Sequence, residues 1–238
     1  MEGKLKLLFI TASPSGQDTL RSDAELRDVD ARIRDALPTD RFEIAVASAA
    51  RRDELQKIVL DHAPDIVHFS GHGDSKRGIV LEGENGRAAP VSGSALAGLF
   101  ALIRGKPNIV FLNACSTKRT ARAFQHIVDY TIAMNGPIPD VSAIAFASAF
   151  YGALARGLHV PAAFAAGINQ IEMLKLPAKT MPELFIAPGT QFNAPPKANE
   201  PEQQPAPAGS LVSLSGSSKA RDIITVSGNH NTVRGPRR

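Results

Sequence analysis

The sequence predicts an α/β fold built on a mostly parallel sheet that is covered by helices. Short apolar runs alternate along the chain with segments whose apolar residues recur every three or four positions, the pattern of amphipathic helices. The runs are apolar throughout, which indicates strands buried on both faces. With 43% hydrophobic residues the chain can bury a sizeable core. In such sheets, ligands bind at the carboxyl ends of the strands.

Six apolar runs are predicted to form the strands of this sheet. In chain order they are "KLLFITA", "RFEIAVA", "DIVHF", "NIVFLNA", "YTIAM" and "LFIAPG". After the third strand, "GIVLEGENGRAAPVS" predicts an inserted hairpin, because two β-prone segments flank a Gly-Glu-Asn-Gly turn.

Helices are predicted between these strands from apolar spacing and from end signals. The first follows Ser22-Asp23-Ala24-Glu25, a capping-box pattern, and carries Leu26, Val29, Ile33 and Leu37. The later helices are predicted around Leu55, Ile58 and Val59, from Ser92 or Ser94 through Phe100, from Ala121 to Tyr130, from Asp140 as N-cap to Gly157, and from Pro161 to Leu174.

Composition divides the chain into three predicted parts. Residues 1–190 form the folded domain, residues 191–220 form a linker rich in Pro, Ala and Ser, and residues 221–238 form a short β-prone Asn/Gly motif with a basic end. The last two parts are predicted to be a disordered tail. "IITVSGNHNTV" can stack with copies of itself and resembles amyloid-like signalling motifs of bacterial immune effectors. A frayed basic terminus is the alternative interpretation.

Charge and cysteine content exclude several classes of protein. The net charge of +4 is too small to indicate a nucleic-acid partner. The apolar stretch 143–168 is interrupted by Arg156 and Pro161, which favours two buried helices over a membrane span. The single cysteine, Cys115, allows no internal disulfide, so we expect a cytoplasmic protein.

Two residues at predicted strand ends could act together in acyl transfer. His72 follows the third strand of the sheet and Cys115 ends the fourth, so both are expected at the same edge. An imidazole can take the proton of a neighbouring thiol and return it later as an acid. The backbone N–H groups of Gly73 and Cys115 are the expected donors to a developing oxyanion.

Other interpretations of these residues are open. The spacing His68-x-x-x-His72 occurs in zinc sites, but without a second cysteine the sequence predicts no metal and no cofactor. His68 lies within an apolar run, which is typical of a hydrogen-bonded core histidine. Cys115 alone could be an inert buried thiol. A nucleotide binder on the same sheet is disfavoured, because "TASPSGQD" is not a glycine-rich phosphate loop.

Several segments together resemble the CHAT domain, the bacterial branch of the caspase, separase and gingipain group of cysteine peptidases. They are "LLFITASP", "LRSDAELRDV", "PDIVHFSGHG", "GIVLEGENG", "VSGSALAGLF", "NIVFLNACST" and "IPDVSAIAFASAFYGALARG", and the resemblance covers most of residues 4–188. It implies a caspase-like three-layer sandwich, with His72 as the catalytic histidine and Cys115 as the nucleophile.

The resemblance also implies a function and partners. The CHAT resemblance implies a cysteine endopeptidase that cleaves a protein substrate and acts as a bacterial defence or cell-death effector. The resemblance of the C-terminal motif to signalling motifs implies recruitment by an upstream sensor or adaptor through residues 221–235, with self-assembly of the tail. An inactive CHAT-like interaction module is the alternative.

The substrate pocket is predicted in the loops that follow the first, fourth and fifth strands of the sheet. Its candidate residues are Ser13, Ser116, Asn135 and Asp140. The connection from Cys115 to the next strand is short and contains no obvious excisable linker, so activation by a conformational or assembly signal is expected rather than proteolytic maturation.

Overall fold

The computed structural model describes residues 4–17, 20–36, 41–103, 105–178 and 180–190. The predicted linker and the C-terminal motif, residues 191–238, therefore lie outside the described residues, as does Leu37 of the first predicted helix.

The described residues form one large sheet and one small sheet. The strands are β1 (Leu5–Thr11), β2 (Phe42–Ala47), β3 (Ile66–Ser70), β4 (His72–Asp74), β5 (Gly78–Glu82), β6 (Ala88–Val91), β7 (Ile109–Asn113), β8 (Tyr130–Met134) and β9 (Pro182–Ile186). The large sheet has the order β2-β1-β3-β7-β8-β9, parallel except for β9 at one edge. The small antiparallel sheet has the order β4-β5-β6, so the predicted hairpin gains a third strand that begins at His72.

Six helices of the described residues cover the large sheet on both faces. They are α1 (Ser22–Arg34), α2 (Leu55–His62), α3 (Gly93–Leu102), α4 (Lys118–Arg122), α5 (Asp140–Ala155) and α6 (Val160–Met173). Because neighbouring residues of a strand point to opposite faces, Leu8 packs in the core with residues of α2, α3 and α4, whereas Leu7 packs in the core with residues of α1, α5 and α6. The result is the predicted arrangement of helix, sheet and helix layers.

Two of the predicted helix starts are wrong in their capping. The N-cap of α1 is Arg21 with no side-chain cap, so the capping box does not form; Glu25 is buried instead. The N-cap of α5 is Pro139, and Asp140 is the first helical residue. In α3 the prediction is confirmed, because Ser92 accepts the Ala95 N–H at 3.2 Å.

The predicted helix from Ala121 to Tyr130 is also wrong in its bounds. α4 ends at Arg122, and turns continue to Ile127, after which the Val128 N–H donates to the Phe124 carbonyl oxygen. Phe124 and Val128 are buried in this turn segment, which explains why their spacing imitates a helix.

The long apolar stretch forms two helices, as predicted. α5 ends before Gly157, which has a φ of +86° suited to a helix C-terminus, and α6 begins at Val160. Among the residues that the structure describes, no helix has the length and apolar character needed to span a bilayer.

Candidate active site

The candidate nucleophile and its candidate base leave the ends of two neighbouring parallel strands. The last residues of β3 and β7, Ser70 and Asn113, are paired in register. His72 and Cys115 each follow two residues later. The Gly71 N–H donates to the Asn113 carbonyl oxygen at 3.2 Å, so the two segments stay paired beyond the strands.

Gly73 packs directly against the backbone of the Cys115 turn. A Cβ atom added to Gly73 would overlap the Cys115 carbonyl oxygen and would lie 3.2 Å from the Ala114 Cβ atom. Glycine is therefore required here for space. The predicted oxyanion role of the Gly73 and Cys115 N–H groups is consistent with this close approach and stays a prediction.

Cys115 begins a tight turn that is fixed to the end of β8. Ser116 has a φ of +57°, in the left-handed region. The buried Thr117 hydroxyl donates to the Ala114 carbonyl oxygen at 2.9 Å and accepts the Met134 N–H at 3.2 Å. Cys115 itself is partly exposed, so the turn presents the thiol while its neighbours are held in place.

A small cavity of about 60 Å³ lies beside the candidate dyad. Both His72 and Cys115 line it, and its other walls come from α1, α5 and the ends of β3 and β7. Asp140 also lines the cavity, and its Oδ2 atom accepts the Arg21 backbone N–H at 3.2 Å. This bond connects the start of α5 to the start of α1.

The other three predicted pocket residues do not line this cavity. Ser13 is exposed, and its N–H donates to Glu82 Oε1 at 3.3 Å. Asn135 is exposed after β8, and Ser116 lies partly buried in the Cys115 turn. Of the predicted set, the structure brings Asp140 together with the dyad, and the substrate roles of all four stay predictions.

The loop after His72 and Gly73 is held by the Asp74 carboxylate. Asp74 Oδ1 accepts the backbone N–H groups of Arg77 at 2.8 Å and of Lys76 at 2.9 Å. The bond from Arg77, and then that from Lys76, lower the pKa of the Asp74 carboxyl group below its ordinary value.

Acidification is expected to loosen this loop. The pKa of Asp74 is lower in the folded protein than in the unfolded chain. The bonds of Asp74 therefore stabilise the fold fully at a pH above about 3.9, the ordinary pKa of an Asp side chain, and this contribution is lost as the pH falls through the folded pKa. Hydrogen-exchange protection of the Lys76 and Arg77 amides should therefore fall in that acidic range. Asp74→Asn should lower this protection at neutral pH, and equal protection in the two proteins would contradict the assignment.

A buried carboxylate that the sequence assigned to a helix cap lies beside the cavity. Glu25 is only 2% exposed. Its Oε1 atom accepts the Asn113 side-chain amide at 2.5 Å, and its Oε2 atom accepts the Ser70 hydroxyl at 2.6 Å. The sequence did carry a signal for this burial, because Glu25, Val29 and Ile33 follow one another at four-residue intervals on one helix face.

His68 lies behind Glu25 as a core histidine. Its ring is stacked between those of Phe9 and Phe111, with centroid distances of 4.2 and 4.5 Å. Its Nδ1 atom lies 3.1 Å from the Tyr151 hydroxyl oxygen. Burial, and then the charge of Glu25, raise the pKa of Tyr151 well above its ordinary value, so the hydroxyl remains protonated and can donate to Nδ1.

The described ranges contain no group of three His, Cys, Asp or Glu side chains arranged to hold a metal ion. The two histidines of the His68-x-x-x-His72 spacing have different surroundings. His68 is fully buried in the core, whereas His72 is partly exposed at the cavity.

Two sequence relatives are named proteases. A Roc-COR-CHAT protease from an unknown prokaryotic organism is 25% identical over 180 residues, which cover 73% of this chain and 17% of the relative. A probable protease from Gillisia limnaea is 24% identical over 153 residues, which cover 63% of this chain and 27% of the relative. The chain thus spans about a sixth and about a quarter of these two proteins.

The fold matches that of a caspase. The crystal structure of caspase-1 from Spodoptera frugiperda superposes with a TM-score of 0.56 and 12% sequence identity, covering 83% of this chain and 91% of the caspase chain. This likeness confirms the predicted caspase-like α/β sandwich. The sequence model of the family described as CHAT domain matches residues 7–206, which is most of the sequence. The chain therefore belongs to the CHAT domain family.

Proposed function

We propose that this chain is a cysteine endopeptidase domain with Cys115 as nucleophile and His72 as general base. The observation that carries the proposal is the placement of both residues on one cavity at the carboxyl edge of the sheet. The close packing of Gly73 on the Cys115 backbone adds support, because it brings the histidine segment onto the cysteine turn. The protease names of the two relatives and the caspase-like fold agree with this chemistry.

The first half of the reaction forms an acyl-enzyme. His72 takes the thiol proton, and the Cys115 sulfur attacks the carbonyl carbon of the scissile peptide bond. The carbonyl π electrons move to oxygen, and this oxyanion is stabilised by the N–H groups of Gly73 and Cys115. When the intermediate collapses, the C–N bond breaks and the leaving amine takes the proton from His72.

The second half restores the enzyme. A water molecule loses a proton to His72 and attacks the thioester carbon, and a second tetrahedral intermediate forms. Its collapse breaks the C–S bond, releases the new carboxyl terminus and returns a proton to the sulfur. No cofactor is required, because every proton is moved by His72.

The proposed substrate is a protein, in keeping with the names of the relatives. The defence role, the cytoplasmic location, the upstream sensor or adaptor and the self-assembly of the tail stay predictions. Residues 221–235, through which recruitment is predicted, lie outside the described residues.

We expect the active chain to remain uncut between Cys115 and β8. Phe124 and Val128, in the middle of this connection, are 0% and 2% exposed, so a protease would have to unfold it before cleavage. Mass spectrometry of the active protein should find one intact polypeptide through this segment. A stoichiometric internal cut there that accompanies activity would contradict the expectation.

Peptide-bond cleavage can be tested without knowing the natural substrate. The full chain and its Cys115→Ala variant are incubated with a heat-denatured protein mixture, and new N-termini are identified by mass spectrometry. The proposal predicts a set of new termini with the wild-type chain that the variant does not produce. Identical termini in both samples would favour the inactive interaction module.

A further inference from the structure

We infer that Glu25 is a positioning residue that holds the two catalytic segments together, an inference that rests on the proposed function. Its carboxylate bonds one side chain from the end of each strand, Ser70 at 2.6 Å and Asn113 at 2.5 Å. Ser70 lies two residues before His72. Asn113 lies two residues before Cys115. One rigid group from α1 thus joins β3 to β7 at the point where the proposed base and nucleophile leave them.

The Ser70 hydroxyl at the end of β3 has two acceptors in the first turn of α1. Its hydroxyl oxygen lies 2.6 Å from Glu25 Oε2 and 2.9 Å from the Ser22 hydroxyl oxygen. A hydroxyl has one proton, and a carboxylate is the stronger acceptor. The Ser70 proton is therefore donated mainly to Glu25, with Ser22 as the second acceptor, so both contacts of the end of β3 are made to the first turn of α1.

The Glu25 carboxylate also contacts the ring of His68. Glu25 Oε1 lies 3.1 Å from His68 Nε2, but the contact is outside the direction of a ring hydrogen bond. The stacked rings of Phe9 and Phe111 fix the imidazole plane, so His68 contacts the carboxylate by packing and makes no hydrogen bond to it. Glu25 therefore makes its hydrogen bonds to the two strand ends, at Ser70 and Asn113.

The same carboxylate lines the cavity that His72 and Cys115 share. A carboxylate buried to this degree is costly unless donors compensate its charge, and Ser70 and Asn113 supply those donors. Such a buried polar group is expected to fix one geometry of its surroundings. Replacing Glu25 should therefore let the two strand ends move relative to each other.

The first test compares variants of the full chain by their rate of labelling with a peptidyl acyloxymethyl ketone. Glu25→Ala should lower the maximal rate of inactivation roughly 100-fold, the scale expected for a displacement of about 1 Å, with little change in the inhibitor constant. Glu25→Gln should recover most of this rate, because its amide keeps the shape: the amide oxygen can accept from Asn113, and the amide NH₂ can donate to the Ser70 hydroxyl oxygen. Asp23→Ala, on the exposed side of the same helix turn, is the matched control and should label like wild type.

The second test does not require activity. The Gly71 N–H bonds the Asn113 carbonyl oxygen, so its hydrogen exchange reports on the contact between the two strand ends. Glu25→Ala should lower the protection of the Gly71 amide about tenfold or more, while the Phe111 amide in the middle of β7 keeps its protection. Asp23→Ala should change neither amide.

The outcomes separate this inference from the proposed function. If Glu25→Ala matches Asp23→Ala in Gly71 protection, Glu25 does not join the strands and the inference is overturned. Glu25→Ala could instead lower Gly71 protection but leave the maximal labelling rate at the control value, although His72→Ala lowers that rate. The connection would then be only structural, and the inference would again be overturned. If His72→Ala labels as fast as wild type, the proposed function fails, whatever the Gly71 amide shows.

Discussion

Gly73→Ala should strongly reduce the reactivity of Cys115. The added methyl group would overlap the Cys115 carbonyl oxygen and would approach Thr117 Cγ2 to 3.0 Å, so the histidine segment and the cysteine turn must separate. A displacement of about 1 Å can lower a rate 10²-fold. We expect at least this loss in the rate of labelling by the peptidyl electrophile.

The same substitution should also destabilise the domain. Overpacking of this kind costs about 1–3 kcal/mol, which urea denaturation measures as a lower free energy of unfolding. Gly73 is not at a positive φ, so the cost comes from space alone. Gly98→Ala in α3 is the matched control: nothing lies within 4 Å of the added Cβ, and replacing a helical glycine should stabilise the domain by about 0.5–1 kcal/mol. Wild-type labelling by Gly73→Ala would show that the two segments do not meet as described.

Phe111→Ala should produce the largest loss of stability. The Phe111 ring is completely buried in the middle of β7, and it contacts the rings of His68, Phe146, Phe150 and Tyr151. Removing a buried phenylalanine side chain costs about 3–5 kcal/mol, because apolar contacts are lost and a cavity remains.

Urea denaturation of the full chain measures this loss. Leu102→Ala is the control, because Leu102 is 68% exposed and its truncation should stay within about 0.5 kcal/mol of wild type. Equal unfolding free energies for the two variants would mean that Phe111 is not part of a close-packed core.

The sheet and the ends of its central strands could be predicted from local sequence. "DIVHF" and "NIVFLNA" are apolar throughout, and such runs are recognisable because parallel strands are buried on both faces. Because ligands bind at the carboxyl ends of parallel strands, the sequence predicts His72 and Cys115 at one edge of the sheet, and β3 and β7 are neighbours there.

The role of Glu25 could not be predicted in the same way. Its partners lie far away in sequence: 45 residues separate it from Ser70 and 88 residues separate it from Asn113. A local pattern of Ser22 followed by Glu25 therefore favoured a capping box. The bounds of α4 failed for a related reason, because Phe124 and Val128 are spaced like a helix face but are buried by turns against the sheet.

Labelling kinetics of two histidine variants test most directly whether His72 activates Cys115. Intact-mass spectrometry measures the rate at which the peptidyl electrophile modifies the single cysteine in wild type, in His72→Ala and in His126→Ala, whose histidine is exposed away from the cavity lining. Loss of a general base lowers such rates by about 10²–10⁴-fold, so His72→Ala should be slower by at least this lower bound, and His126→Ala should equal wild type. Equal rates for His72→Ala and His126→Ala would contradict the proposed dyad.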